Sequence, residues 1–205
     1  MQRPPLTLAL AAIVLMLPSL VWGTLPTHSS LHNLTWAEQF AGQFPLVPYP
    51  RWMFESFDGL GAPSFYFYPP LAFWADGAVK GLTLGVLSTS WRLSVTSTVL
   101  LWASGWAMYR WLLLETGDRH SALIAGIAYM AAPYHLTDHY IRGALAEFAA
   151  YAPLPLVMLG VALAARRARS GPVVIAVAYA ALVMAHLPTA LLISLSAIPA
   201  YVLFV

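Results

Sequence analysis

Apolar runs approaching membrane-crossing length, separated by short polar turns, leave this chain few ways to fold. The runs are Leu6–Trp22, Phe67–Leu87, Leu93–Leu114, Ala122–Ala132, Phe148–Ala165, Val173–Ala185 and Ala190–Val205. A helix that crosses a bilayer needs about 20 predominantly apolar residues. Charged residues make up only 9% of the chain, against about a quarter in a soluble domain. That is too little charge to cover a surface facing water. The sequence therefore predicts an all-α, polytopic transmembrane helix bundle with the lipid bilayer as its main solvent. A net charge of +2 gives no reason to expect nucleic acid as a partner. With no cysteine present, disulfides and thiolate metal sites are excluded.

Orientation follows from RRARS, where Arg166, Arg167 and Arg169 close the run ending at Ala165. Basic clusters stay in the cytoplasm. Arg110 and Arg119 bracket a second cytoplasmic turn, diluted by Glu115 and Asp118. With the N-terminus inside, five crossings before RRARS would put it outside, so one run must fail to cross. Phe67–Leu87 is the best candidate, with the short Ala122–Ala132 as the alternative. It opens on Pro69-Pro70 and carries Asp76 and Lys80, four apart and able to pair on one helix face. Such a segment suits an amphipathic helix lying in the outer interface. The chain then reads as one transmembrane module. Residues 1–22 form the first helix, 23–91 an outer loop with interfacial helices, and 92–205 about five further spans. A cleaved leader ending near Gly23 is the alternative for the first run, and either reading leaves the following loop outside.

Nearly all the polar chemistry falls on that outer face. THSSLHNLTWAEQF predicts an interfacial helix capped by Ser29 or Ser30, with His28 and His32 four apart. YPRWMFESFDGLGAPSFYFYPPL places Arg51, Glu55 and Asp58 before Gly59, Gly61 and Pro63. Arg51 can clamp a phosphate in forked geometry, and Trp52, Phe65, Tyr66 and Tyr68 can stack on a sugar or prenyl surface. An aromatic belt at headgroup level accounts for the rings equally well. YHLTDHYIRGALAEF sets His135, Asp138 and His139 at i, i+3 and i+4, one face of a helix. Asp138 and His139 could hold a divalent cation or bond each other, and Arg142 could pair with Glu147. AHLPTALL ends a run at His186, where Pro188 breaks the helix. No nucleotide-binding or soluble-hydrolase motif is present.

YPRW, GLGAPSFYFYPPL, YHLTDHYIRGALAEF and AHLPTALL, in this order, resemble bacterial and archaeal membrane proteins labelled "6-pyruvoyl-tetrahydropterin synthase-related". That family resembles the GT-C superfamily of integral membrane glycosyltransferases that use polyprenyl-phosphate-linked sugars. The resemblance implies transfer of a sugar on the outer face of the cytoplasmic membrane to a glycan, lipid or protein acceptor. It implies Glu55, Asp138, Glu147 or His28 as the catalytic base. Arg51 and Arg142 would hold the lipid phosphate, with His32 and Tyr68 also at the substrate. Mg or Mn at Asp138 and His139 is the implied cofactor. The family's first outer loop opens on Asp, with His four residues later; here His32 matches the His, and His28 stands at the Asp position. That departure points to the rival reading, a non-catalytic polyprenyl-lipid-binding or assembly protein that kept the fold. The superfamily's greater length further implies an N-terminal portion of a longer protein.

Overall fold

The computed structural model describes residues 3–205, which fold into helices with no β-strand among the described residues. The first apolar run is two helices, α1 (Pro4–Leu15) and α2 (Leu17–Trp22), which meet at Met16. Pro18 explains the break, because its ring has no N–H to give and crowds the preceding turn. α3 (Ser30–Gln43) follows, with Ser29 at the cap position but without a side-chain capping bond. Ser30 instead exchanges hydrogen bonds with the backbone of Thr27, both at 3.1 Å. A short loop pinned by paired bonds between Met53 and Ala62 leads to α4 (Ser64–Phe67) and α5 (Leu71–Leu82).

The long α6 (Thr89–Thr116) ends on left-handed Gly117. Asp118 then caps α7 (Arg119–Met130), accepting from the backbone N–H groups of His120 and Ser121. α8 (Pro133–Thr137) runs into a single π-helical turn, Asp138–Arg142, closed by left-handed Gly143. The remaining helices are α9 (Leu145–Ala150), α10 (Pro153–Ala165), α11 (Gly171–Ala185), α12 (Leu187–Leu195) and α13 (Ala197–Val202). α6 is the central element, packed against α1, α2, α3, α5, α7, α9 and α10, while α10 pairs closely with α11.

The segment between α2 and α6 is a folded cap. Phe40 of α3, Phe65 of α4 and Phe73 of α5 meet edge-on at 4.8 Å for each of the Phe65 pairs, and Trp36 abuts Tyr68 at 4.9 Å. An ionic clasp fixes this cap to α6. Fully buried Asp76 accepts from Arg92 Nε at 2.8 Å, and Arg92 also reaches Glu38 at 3.4 Å. The expected Asp76–Lys80 pair does not form, since Lys80 faces Glu38 at 3.9 Å. α5 turns Asp76 into the α3–α6 junction, where the guanidinium supplies the charge that a buried carboxylate requires.

Polarity runs inside out along much of the molecule. Ser94, Thr96, Ser97 and Ser104 of α6 are buried, while Leu10, Val14, Val177, Leu191 and Leu195 point outward. One stretch, Leu145–Ala165 through α9 and α10, is long and apolar enough to cross a membrane, and about half of it is buried. Pro4–Leu15, Gly171–Ala185 and Leu187–Val202 are apolar but shorter. The proline-bearing breaks at Met16 and Ser196 divide the first and last runs, and α7 is only 12 residues long.

Candidate functional site

The π-turn builds the most concentrated polar site of the molecule. Ala144 N–H donates to the Asp138 carbonyl at 2.8 Å, the wide-turn closure that Gly143 permits at φ 63°. A Cβ at Gly143 would collide with the Thr27 side chain, so glycine also serves the close approach of the first loop. The turn places Asp138 and Arg142 side by side, and α9 brings Glu147 to them. Arg142 Nη1 contacts Asp138 Oδ1, Glu147 Oε2 (2.8 Å) and the Tyr134 hydroxyl (2.8 Å). Tyr134 in turn donates to Glu147 Oε1 at 2.9 Å, and Tyr151 to Asp138 Oδ2 at 3.2 Å.

Burial differs sharply within this cluster. Asp138 is fully buried, whereas the Arg142 side chain is 43% exposed and that of Glu147 18%. Every side-chain hydrogen bond of Arg142 uses Nη1, so its Nη2 and Nε have no hydrogen-bond partner among the described residues, and the guanidinium lies over the Tyr134 ring at 5.6 Å. Burial, with Glu147 nearby, pushes the Asp138 carboxyl above the usual range against the pull of Arg142. The Tyr134 phenol is raised because it donates to the Glu147 carboxylate. Burial holds the His135 imidazole down to about 4, and burial with His135 as neighbour does the same to His139.

The turn is clamped on two sides. Asn33 Nδ2 donates to the Gly143 carbonyl at 2.7 Å, and the His28 and Ser29 N–H groups donate to Ile141 and Arg142 carbonyls at 3.2 Å. His139 Nε2 pairs with Ser19 at 2.8 Å, and Tyr140 donates to the Leu15 carbonyl at 2.6 Å. Both contacts grip the α1–α2 break. Thr27, Asn33, Ser97, Asp138 and His139 line a small cleft beside the turn, about 30 Å³ in volume. Two buried polar atoms there and nearby, Thr27 Oγ1 and His135 Nε2, have no hydrogen-bond partner.

Arg142 pairs with Glu147 as expected, but Asp138 bonds to Arg142 and Tyr151 rather than to His139, whose ring turns to Ser19. His28 precedes α3, so it and His32 do not share a helix; its ring meets only the Ser29 hydroxyl at 3.2 Å. His32 is exposed, edge-on to Trp36 at 6.0 Å. Tyr68 is half-buried, directed at the Ala146 backbone on α9. Arg51 lies over the rings of Tyr49 and Tyr66, at 4.7 and 5.4 Å. Glu55 is exposed, its N–H donating to Gln39 at 2.9 Å, and it borders a separate shallow cleft with Glu38 and Gln43. Neither Arg51 nor Glu55 bonds to the Arg142 cluster among the described residues.

His186 belongs near the cluster. Burial lowers its pKa, and the charges of Glu147 and Arg142 both act on it. Its Nδ1 pairs with Thr189 at 2.7 Å. Sequence reasoning missed Tyr134 and Tyr151. Tyr134, Asp138 and Arg142 recur every fourth residue, and that interval was the available signal for the first of them. A divalent cation does not fit these residues. No group of three His, Asp or Glu converges among the described residues, and Arg142 already faces the Asp138 carboxylate.

No family model, curated protein or solved structure matches the chain.

Proposed function

We propose that the chain is a GT-C-like membrane glycosyltransferase module that transfers a sugar from a polyprenyl-phosphate carrier on the outer face of the cytoplasmic membrane. The observation that carries this reading is Arg142, held by carboxylates through one nitrogen while its Nη2 and Nε have no hydrogen-bond partner among the described residues, on a side chain that is 43% exposed. Arginine presents N–H pairs that match phosphate oxygens. The surrounding helices turn apolar side chains outward and polar ones inward, the distribution that a lipid solvent favours. In this reading six helical passes, some shortened or broken, form a polytopic bundle with the N-terminus inside.

Chemically, the acceptor hydroxyl oxygen attacks the sugar C1 and the C1–O bond to the lipid phosphate breaks, inverting the anomeric centre. The phosphate leaves with its charge met by Arg142. The acceptor proton passes to a carboxylate, and Glu147 fits that role because it is partly exposed beside Arg142. Asp138 is buried and acts by fixing Arg142. Arg51 and Glu55 stand outside this cluster and serve, on this reading, the carrier's or acceptor's outer parts.

A second reading has its own support. His28 offers no carboxylate at the opening of the first loop, and Glu147 is engaged by Arg142 and Tyr134. A non-catalytic polyprenyl-phosphate-binding or assembly protein would show the same geometry. Transfer assays in membranes with a labelled polyprenyl-phosphate sugar separate the two. Arg142→Gln should weaken carrier binding by about 1.5–3 kcal/mol, roughly 10- to 150-fold. Glu147→Gln should abolish transfer while retaining binding. Binding without transfer in the unmodified chain supports the second reading, and unaltered binding by Arg142→Gln refutes both.

A further inference from the structure

A second site lies along the flank of the bundle, running from Pro153, two residues past Tyr151 of the Arg142 cluster, toward Val173 near the other end. α6, α10 and α11 frame an open groove of about 400 Å³, lined almost wholly by apolar side chains such as Leu156, Val173, Val177 and Ala181. Its walls extend along α11 from Val173 to Ala181, about 12 Å by helical rise, and Val177 within it is well exposed. Trp106 and Arg110 of α6 form one rim. Arg110 lies over the Trp106 ring at 5.6 Å and makes no ion pair or hydrogen bond among the described residues. Arg166 contrasts with it, being neutralised by Glu115 at 3.3 Å.

We propose that this groove binds the acyl chain of an anionic phospholipid from the inner leaflet, with Arg110 holding its headgroup phosphate. The inference rests on the membrane reading above but not on glycosyl transfer. Stacking on Trp106 orients the guanidinium face and leaves its N–H edge for phosphate oxygens. The apolar trough takes a hydrocarbon chain and offers nothing polar to a peptide. Trp106 adds to the rim a ring with an apolar body and a polar N–H tip. A single unpaired cation beside a hydrocarbon-lined trough is complementary to an anionic amphiphile and to few other ligands.

The full chain, purified in detergent, is incubated with phosphatidylglycerol or phosphatidylcholine and weighed by native mass spectrometry. The expected result is several-fold greater retention of phosphatidylglycerol, reduced by added salt. Arg110→Gln should bring it down to the phosphatidylcholine level. Val177→Trp, which fills the trough from its exposed side, should lower retention of both lipids. Equal retention of the two lipids, an unchanged preference in Arg110→Gln, or a dimer that excludes lipid from the groove would overturn the proposal. Recovery of the chain from the aqueous fraction without detergent would instead refute the membrane reading on which it rests.

Discussion

Arg142 sits in a gradient of exposure, with fully buried Asp138 on one side and partly exposed Glu147 on the other. On the proposed reading that gradient separates a positioning carboxylate, Asp138, from one open to a substrate, Glu147, although the two side chains are chemically alike. The neighbouring imidazoles carry a pH signature. His135 and His139 titrate near 6.5 in an unfolded chain and near 4 when folded. Between those values the unfolded state binds more protons, so stability present above pH 6.5 is lost as pH falls toward 4. For almost fully buried His135 the shift corresponds to about 3 kcal/mol at most. The raised Asp138 carboxyl opposes this trend at the acid end. Melting temperatures in detergent should therefore drop between pH 6.5 and 4, and His135→Gln should flatten the slope; an equal slope in the variant rejects the assignment. The Arg142–Glu147 pair was legible because only five residues separate the two, whereas Asp138 was expected beside His139 and instead meets Arg142 through a π-turn that helical spacing did not reveal. Arg51 and Glu55 were not placeable by that means, since three-dimensional packing of the α3–α5 cap decides where their loop lies.

At the scale of elements, α5 shows both the reach and the limit of sequence pattern. Its prolines and charges marked Phe67–Leu87 as a segment unlike its apolar neighbours, and α5 folds as a 12-residue helix against α3 and α6. The partner of Asp76 was misread because i, i+4 spacing pointed to Lys80, whereas burial selects Arg92 from the next helix. Removing only one member leaves an unpaired charge inside. Asp76→Leu should lose about 3–5 kcal/mol of stability, while Asp76→Leu with Arg92→Met should recover most of it. Unfolding in detergent with denaturant measures both, and a double variant no better than the single one excludes the clasp as the cause. The α6–α7 contact depends on size instead. A Cβ at Gly126 would lie 2.7 Å from the Gly105 carbonyl oxygen, so the backbones touch there. Gly126→Val should force the helices apart and cost about 1–3 kcal/mol, with Gly126→Ala intermediate in the same unfolding assay.

For the whole molecule, contacts sort the turns onto two ends. Thr24 with Ser90 and Asn33 with Gly143 join the segments around the Arg142 cluster. Glu115, Arg166 and Tyr201 join at the other end, through Arg166 at 3.3 Å and the Tyr201 hydroxyl at 2.7 Å. The arginine cluster Arg166, Arg167 and Arg169 thus shares an end with the α6–α7 turn, opposite the polar loops. Charge bias would keep that end in the cytoplasm. Among the described residues, length and apolarity alone single out only Leu145–Ala165 as a span, because prolines divide other runs and polar side chains line α6. Those same departures bury hydroxyls and leave hydrocarbon outside, so a test must read topology directly rather than hydropathy. A phosphatase reporter, active only outside the cytoplasm, should be silent when fused after Gly171 and active when fused after Pro133. Replacing Arg166, Arg167 and Arg169 by Gln should weaken this bias and raise the signal after Gly171. Activity after Gly171 in the unmodified chain would reverse the ends, placing the free edge of Arg142 toward the cytoplasm and removing an outer-leaflet carrier as its ligand.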